Sequence, residues 1–464
     1  MYGDEAGQKE VLFKRKSWMK IQTKFVLLIA TILVRFTYFL SRALNLGEGS
    51  NIPGKVALKL FPDLLKILVP RYKKGWVLIT GTNGKTTTTK ILVELIENSG
   101  YDVSTNAKGA NLLSGIVTSI LLDRVRLNQD FAADYGVFEI DEAVLIKSFN
   151  LFKPQVLVVT NFSRDQLDRY GEVDSNVNRI IDLIRVPDHQ CQVVLNGNDP
   201  NVARIGSVVK PENRIYFGIK EEIASTEMGL LVERDTGIGV GTGLELPDLD
   251  LWADSIRIDY LKGSRFRLGT KYNDCYDVEI KLPGVFNILN ALAALSVGIL
   301  IGIDLNPMIA KINNVTPSYG RSEYFNYRGV RVFMFLVKNP VGFNHIINLL
   351  SQSQGEKRLL FLLNDLTADG KDVSWIWDVS LENIWKLPGI KETVTSGTRA
   401  GDMALRVKYS NPPQIALTVN YSPHRAFKEL AARLQPGEEL LVLANYTSMI
   451  KFRPFLLKLC RHTA

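Results

Sequence analysis

The sequence is poor in the side chains that build disulfides and metal centres. Its 464 residues include three cysteines and four histidines. Cys191, Cys275 and Cys460 stand far apart, form no C-x-x-C pair and are odd in number. A disulfide framework and a Cys₄ zinc site are thereby excluded, and the usage suits a reducing cytoplasm. Four histidines leave little for a His-based metal site. A spanning helix needs about 20 apolar residues. The stretch Phe25–Val34 is apolar except for Thr31, but Lys24 and Arg35 bound it. No small-residue cleavage site follows it cleanly, which argues against a signal peptide.

The chain also lacks a charge excess over most of its length. Lys+Arg is 56 and Asp+Glu is 48, a net +8. Residues 1–75 hold 14 basic and 5 acidic residues, and the remainder is close to neutral. An extended nucleic-acid groove is therefore not expected. Hydrophobic residues at 46% and charged residues at 22% are enough for ordinary cores rather than disorder. The length suggests about three domains.

The basic N-terminus reads as a long amphipathic helix. On a helical wheel Lys20, Lys24, Thr31, Arg35 and Arg42 fall within about 60°. Ile, Phe, Leu, Val, Trp and Tyr occupy the rest. Such a helix packs on its own domain, lies on an anionic membrane surface, or spans as an uncleaved anchor, and Arg35 counts against the last. Gly47–Gly54 is a turn-rich break, and Val56–Leu68 is a second amphipathic stretch.

The first chemistry-bearing segment follows a short apolar strand, Trp76–Ile79. It runs Gly81-Thr82-Asn83-Gly84-Lys85-Thr86-Thr87, and a helix follows with Ile91, Leu92, Leu95 and Ile96 on one face. Strand, glycine-rich turn and helix is the setting of a phosphate-binding loop. Glycines let backbone N–H groups approach phosphate, Lys85 neutralises the outer phosphates, and the Thr86 hydroxyl can bind Mg²⁺. The usual first glycine, five residues before Gly84, is replaced by Ile79, so the loop is a short variant.

This variant resembles the loop of the Mur ligases, which activate a carboxylate with ATP as an acyl phosphate that an amine attacks. Other segments match in the same order. Gly136–Glu142 is a strand ending in acidic residues, with Glu139 in the place of the family's Mg²⁺-binding glutamate. Val156–Asn161 is another apolar strand. Val193–Pro200 resembles the adenine-side segment, with Asn196 and Asp199. Gly284–Ala294 resembles the G-x-x-N-x-x-N-x-x-A-A helix, with Asn287 and Asn290 near the nucleotide. Arg321 lies where the family has an ATP-contacting arginine.

Two departures narrow the resemblance. Gln166 replaces the family's metal-contacting histidine, and Leu336–Pro340 (L-V-K-N-P) replaces D-Y-A-H-N-P. Both are features of the MurT branch, as are Asn364–Asp378, Ser396–Leu405 and Ala444–Ser448. That resemblance implies an α/β fold: a basic amphipathic segment (1–50), a Mur ligase central P-loop domain with a largely parallel sheet (51–315) and a smaller C-terminal α/β domain (316–464). It implies ATP and Mg²⁺ as cofactors. It also implies amidation of the D-Glu α-carboxylate of lipid II, with ammonia from a GatD-type glutaminase subunit. Lys338 would hold the acyl phosphate or the carboxylate, or form a structural salt bridge. Asp372 would complete the Cys–His pair of the partner glutaminase, whereas Asp369 suits a turn. Trp375 and Trp377 alternate in strand-like fashion and suit an interface or a core. Many members of the branch insert a Cys₄ zinc ribbon; this chain has only Cys275 in that region and is expected to bind no zinc. The enzyme is expected in the cytoplasm, at the inner face of the plasma membrane. A folylpolyglutamate- or cyanophycin-type ligase using an amino acid, and a non-catalytic membrane scaffold, stay as alternatives.

Overall fold

The structure is a computed structural model. It describes residues 5–44, 51–106, 110–125, 131, 133–152, 154–162, 173–185, 191–220, 247–260, 262–315, 323–351 and 353–460, with side chains from Gln22 onward except at 152, 173 and 174.

The chain begins with helices α1 (Glu5–Ala43), α2 (Ile52–Leu60) and α3 (Leu64–Leu68). Strands and helices then alternate: β1 (Gly75–Thr80), α4 (Lys85–Asn98), β2 (Val103–Thr105), α5 (Leu113–Asp123), β3 (Tyr135–Glu139), α6 (Glu142–Phe152), β4 (Val156–Val159) and α7 (Val173–Ile184). Next come β5 (Gln192–Asn196), α8 (Pro200–Gly206), β6 (Arg214–Ile219), β7 (Leu251–Asp259), β8 (Gly263–Thr270), β9 (Cys275–Ile280), α9 (Val285–Leu300) and α10 (Leu305–Ile312). These strands form one sheet in the order β2-β3-β1-β4-β5-β6-β7-β8-β9. It is parallel from β2 to β7 and antiparallel through β8 and β9.

Parallel strands buried on both faces read as continuous apolar runs, and β1 shows why. Val77 and Ile79 point into a core with α4 and α9, while Trp76 and Leu78 point into a second core on the opposite face. The second core takes in α5 and the inner side of α1. Helix α2 approaches α5 closely at Gly54, where a Cβ would lie 1.8 Å from the Ser114 carbonyl oxygen. The stretch expected as one amphipathic piece, 56–68, is two helices broken at Phe61-Pro62.

The remaining elements are β10 (Glu323–Tyr327), β11 (Val330–Leu336), α11 (Pro340–Leu350), β12 (Lys357–Leu362), β13 (Ile390–Ser396), α12 (Ala400–Tyr409), β14 (Ala416–Val419), α13 (Pro423–Ala431), β15 (Glu439–Ala444) and α14 (Tyr446–Cys460). They build a second sheet, ordered β10-β11-β15-β12-β13-β14. Only β10 runs antiparallel within it. All four residues of the edge strand β14 are exposed. Trp375 and Trp377 do not alternate along a strand. They lie in a 3₁₀ turn, Ser374–Asp378, which sends Trp375 against the core and leaves Trp377 exposed, with its ring 6.0 Å from that of Tyr409.

Helix α1 packs on its own domain, the first of the three arrangements its pattern allows. Leu27, Ala30, Thr31, Val34 and Ser41 are buried against the body, where α1 meets α2 and α5. Thr31 bonds back to the Leu27 carbonyl, and Arg35 donates to the Val125 carbonyl at 3.0 Å. The polar stripe therefore runs along the seam with the protein. The outward side is apolar.

Candidate active site

The C-terminal ends of β1, β4, β5 and β11 and the first turns of α4, α9 and α11 converge on one cleft. It encloses about 1200 Å³ out to its open mouth. Crevices beyond the carboxyl ends of parallel strands are where α/β sheets take ligands.

The loop from Gly81 to Lys85 forms one wall. Gly81 and Gly84 hold φ of +120° and +88°. A Cβ at Gly81 would lie 2.3 Å from Thr160 Oγ1, and one at Gly84 would lie 2.3 Å from Asn290 Oδ1. Both positions need glycine on conformation and on space. Asn83 fastens the loop to the end of β4. Its N–H donates to Asn161 Oδ1 (2.9 Å), and its carbonyl accepts from Asn161 Nδ2 and Thr160 Oγ1. Thr82 and Thr87 are buried beside it, and Thr86 sits in the first turn of α4. Lys85 is buried. Its Nζ donates to the Gly81 carbonyl and, at 3.4 Å, to the Thr82 carbonyl, and it lies 3.6 Å from Glu142 Oε1. A cation, two positive-φ glycines and the N-terminus of a 14-residue helix make a cradle suited to phosphate.

Glu139, at the end of β3, is 2% exposed. Asn106 fixes its backbone through both N–H and carbonyl. Its Oε2 is buried without a hydrogen-bond partner. An orphaned buried carboxylate oxygen is costly unless a ligand completes it. Mg²⁺ fits here, because it is usually held by one or two carboxylates with substrate phosphates rather than by a protein cage. Asp141 is engaged differently, since its Oδ1 accepts from the N–H groups of Ala143 and Val144 at the start of α6.

The opposite wall carries four asparagines and an aspartate. Asn196 donates to the Thr160 carbonyl and accepts from the Asn198 N–H. Asn290 donates to Asn287 Oδ1 and accepts from Thr88. Asp199 caps α8 through the N–H groups of Asn201 and Val202, and its other oxygen accepts from the Phe162 N–H at 2.8 Å. Burial raises its carboxyl to about 6, against the pull of those three bonds.

The second sheet closes the cleft with Lys338, Val341, Gly342, His345 and Ile346. Asn339, fully buried at the cap of α11, donates to Asn83 Oδ1 at 3.0 Å and so joins α11 to the phosphate loop. His345 stacks on Phe286, with ring centroids 5.4 Å apart and planes within 9°. Sequence reasoning did not single out His345. Its signal would have been a polar residue on the apolar side of α11, and that is visible only once the cleft is built.

Burial pushes the His345 imidazole down to about 4. Its value in the unfolded chain is near 6.5, so acidification through that window protonates the unfolded state first. Stability tied to the neutral ring is present above the window and is lost as pH falls through it. Thermal midpoints measured from pH 7 to pH 4 are expected to fall less steeply for His345→Gln than for the wild type. The difference should amount to about 2–4 kcal/mol across the window. Parallel curves would mean that the ring does not titrate in this way.

Asp372 lies elsewhere. It is not among the cleft-lining residues, and it sits on the surface loop after β12. Ser374 donates to its two oxygens, N–H at 2.8 Å and Oγ at 2.9 Å, and these bonds hold the carboxyl below its ordinary value. Asp369 is more than a turn residue. It is buried and accepts from the N–H and hydroxyl of Thr447 as well as the N–H of Leu366. Arg321 and Gln166 lie outside the described residues, as does 221–246, most of the Gly-rich stretch. Among the described residues no group of three His, Cys, Asp or Glu is placed to hold a metal ion.

Comparison with known proteins agrees with this architecture. Residues 79–298 match the Mur ligase middle domain, and residues 336–449 match the MurT ligase C-terminal domain. A MurF structure from Acinetobacter baumannii superposes with a TM-score of 0.65 at 18% identity, covering 88% of this chain and 80% of that one. A MurF ligase from Thermotoga maritima, solved in complex with ADP, gives 0.64 at 16% identity, covering 88% and 85%. The lipid II isoglutaminyl synthase (glutamine-hydrolyzing) subunit MurT of Staphylococcus aureus is 28% identical, over 88% of this chain and 93% of its own. The subunit of the same name from Streptococcus pneumoniae is 32% identical, over 89% of this chain and 93% of its own. On the strength of that 32% identity over most of both chains and of both domain matches, the chain belongs to the MurT family of Mur-type ligases.

Proposed function

We propose that this chain is the synthetase subunit of a glutamine-dependent amidotransferase that converts the D-Glu α-carboxylate of lipid II to an amide. One observation carries the reading. The glycine-rich loop, through Asn83, Gly84 and Thr87, lines the same cleft as Lys338, and the segment Lys338-Asn339-Pro340 lacks the acidic residue and histidine that other Mur ligases carry there. A site for activating a carboxylate is kept, and the motif for an amino-acid nucleophile is not. The names of the S. pneumoniae and S. aureus relatives support the same reaction.

The acceptor carboxylate attacks the γ-phosphorus of ATP, and ADP leaves. Lys85 and the α4 N-terminus offset the charge on the transferring group. Thr86 and Glu139 would hold Mg²⁺, which screens phosphate charge when bound. Asn196, Asp199, Asn287, Asn290 and Arg321 are proposed on the nucleotide side, and Lys338 on the acyl phosphate. Ammonia then attacks the carbonyl carbon, the bond to phosphate breaks, and a nitrogen proton passes to solvent. The ammonia comes from a GatD-type glutaminase that docks around Asp372 and the exposed Trp377. The catalytic division of the chain is 51–315 and 316–464, after the segment 1–50, and the reaction takes place on the cytoplasmic side of the membrane.

Purified alone, the chain should hydrolyse little glutamine. With its partner it should convert a D-Glu-containing precursor to the amide, with one ADP formed per amide. Efficient ligation of a free amino acid by the lone chain would refute this assignment.

A further inference from the structure

Helix α1 has two unlike sides. Its buried arc (Leu27, Ala30, Thr31, Val34, Ser41) packs on α2 and α5. On a wheel of ~100° per residue, the roughly opposite arc carries Phe25, Ile29, Ile32, Phe36, Phe39 and Leu40, all exposed. Phe36 is 62% exposed and Phe39 72%. A contiguous apolar strip of this kind on a soluble surface marks an interaction site. Lys24 and Arg42, both exposed, border the strip on one flank, between the buried and outward arcs. The neighbouring helix α2 adds exposed Lys55 and Lys59, with exposed Ile52 and Leu60. The first half of α1 carries Lys9, Lys14, Arg15, Lys16 and Lys20 against Glu5 and Glu10.

The segment Gln22–Ala43 is long and apolar enough to cross a membrane. Its packing contradicts crossing. Contacts with the body recur from Leu27 to Ser41, and the Arg35 bond to Val125 lies midway. A helix sealed along one side to a water-soluble domain can only lie parallel to a surface. Apolar residues on one arc with cations at its border are the arrangement of an interfacial helix, whose cations reach headgroup phosphates as its rings enter the acyl boundary.

We propose that the outward face of α1 inserts in plane into an anionic lipid bilayer, with the Phe25–Leu40 strip in the lipid and Lys24, Arg42, Lys55 and Lys59 at the headgroups. This goes beyond the proposed reaction and does not depend on it. The apolar strip makes the contact, and the basic residues frame it.

The test uses the full chain and vesicles of phosphatidylglycerol and phosphatidylethanolamine. Wild type is expected to co-sediment with them and to bind pure phosphatidylcholine vesicles weakly. The double substitution Phe36→Asp and Phe39→Asp should lower vesicle partitioning at least about tenfold. Its thermal midpoint should stay unchanged, because both rings are exposed. Phe36→Trp, a mild change, should show a blue-shifted emission quenched by brominated acyl chains. Wild-type-like sedimentation of the double variant, or an indole emission from the Phe36→Trp variant that lipid does not alter, would overturn the proposal. So would resistance to alkaline extraction, which indicates a spanning helix. Lipid-free dimers split by the double variant, without vesicle binding, would assign the face to a second copy and overturn it too.

Discussion

Lys85→Ala is expected to lower amide formation by at least about a thousandfold, whether nitrogen is supplied as glutamine or as ammonia. The ammonium lies at the first turn of α4, in a loop whose two glycines allow phosphate to approach the backbone. In this structure Lys85 is tethered inward by the carbonyls of Gly81 and Thr82 and by Glu142. Those contacts keep a buried cation satisfied and aimed along the loop, so phosphate exchanges one set of oxygen partners for another. Removing the cation leaves the backbone cradle but takes away the charge that offsets the transferring phosphoryl group. The loss should therefore appear mainly in kcat, with a smaller rise in KM for ATP. The measurement is ADP release with saturating acceptor, beside circular dichroism to establish folding. Activity within tenfold of wild type would remove Lys85 from the phosphoryl-transfer step.

Asp372→Asn should divide the two nitrogen sources. Glutamine-supported amidation is expected to fall by about 10³–10⁴-fold, the scale seen when the orienting aspartate of a triad is neutralised. Ammonia-supported amidation should stay within about twofold. The reasoning is positional. Asp372 is exposed, lies outside the cleft, and is oriented by Ser374 rather than by any nucleotide-side group. Asparagine can still accept from the Ser374 N–H, and the Ser374 hydroxyl can rotate to accept from the new amide. The loop should therefore keep its form while the negative charge offered to a partner histidine is lost. Equal loss with both nitrogen sources would place Asp372 in the ligase step or in folding.

Much of the fold and part of the site could be read along the chain. The strand-turn-helix at Gly81–Lys85 was legible because a tight turn restricts the residue types: glycine where φ is positive, and an apolar strand before it. The strands β1 and β4 were legible too, because their unbroken apolar runs reflect burial on both faces. Contacts across long separations were not legible. Asn339 meets Asn83 through a 256-residue interval, and His345 meets Phe286 only because α11 closes over the start of α9. No local pattern encodes those pairings. Trp375 and Trp377 misled because spacing by two is a strand signal only when the backbone is extended, and here a 3₁₀ turn carries them. Helix α1 left three arrangements open, and packing on the protein is the one the structure has. The wheel identified its polar and apolar arcs correctly, but an amphipathic pattern does not say which arc faces the protein. Thr31 and Arg35 can bond to backbone carbonyls and so suit a seam as well as they suit water.

Strand β14 closes the second sheet with an uncovered edge, and Leu417 and Val419 stand exposed on it. An edge with free backbone groups and apolar side chains is a template for strands of other molecules. A cell that makes this chain in excess of whatever covers that edge would accumulate copies prone to add to one another. The yield of soluble chain in recombinant expression should therefore fall as its concentration rises.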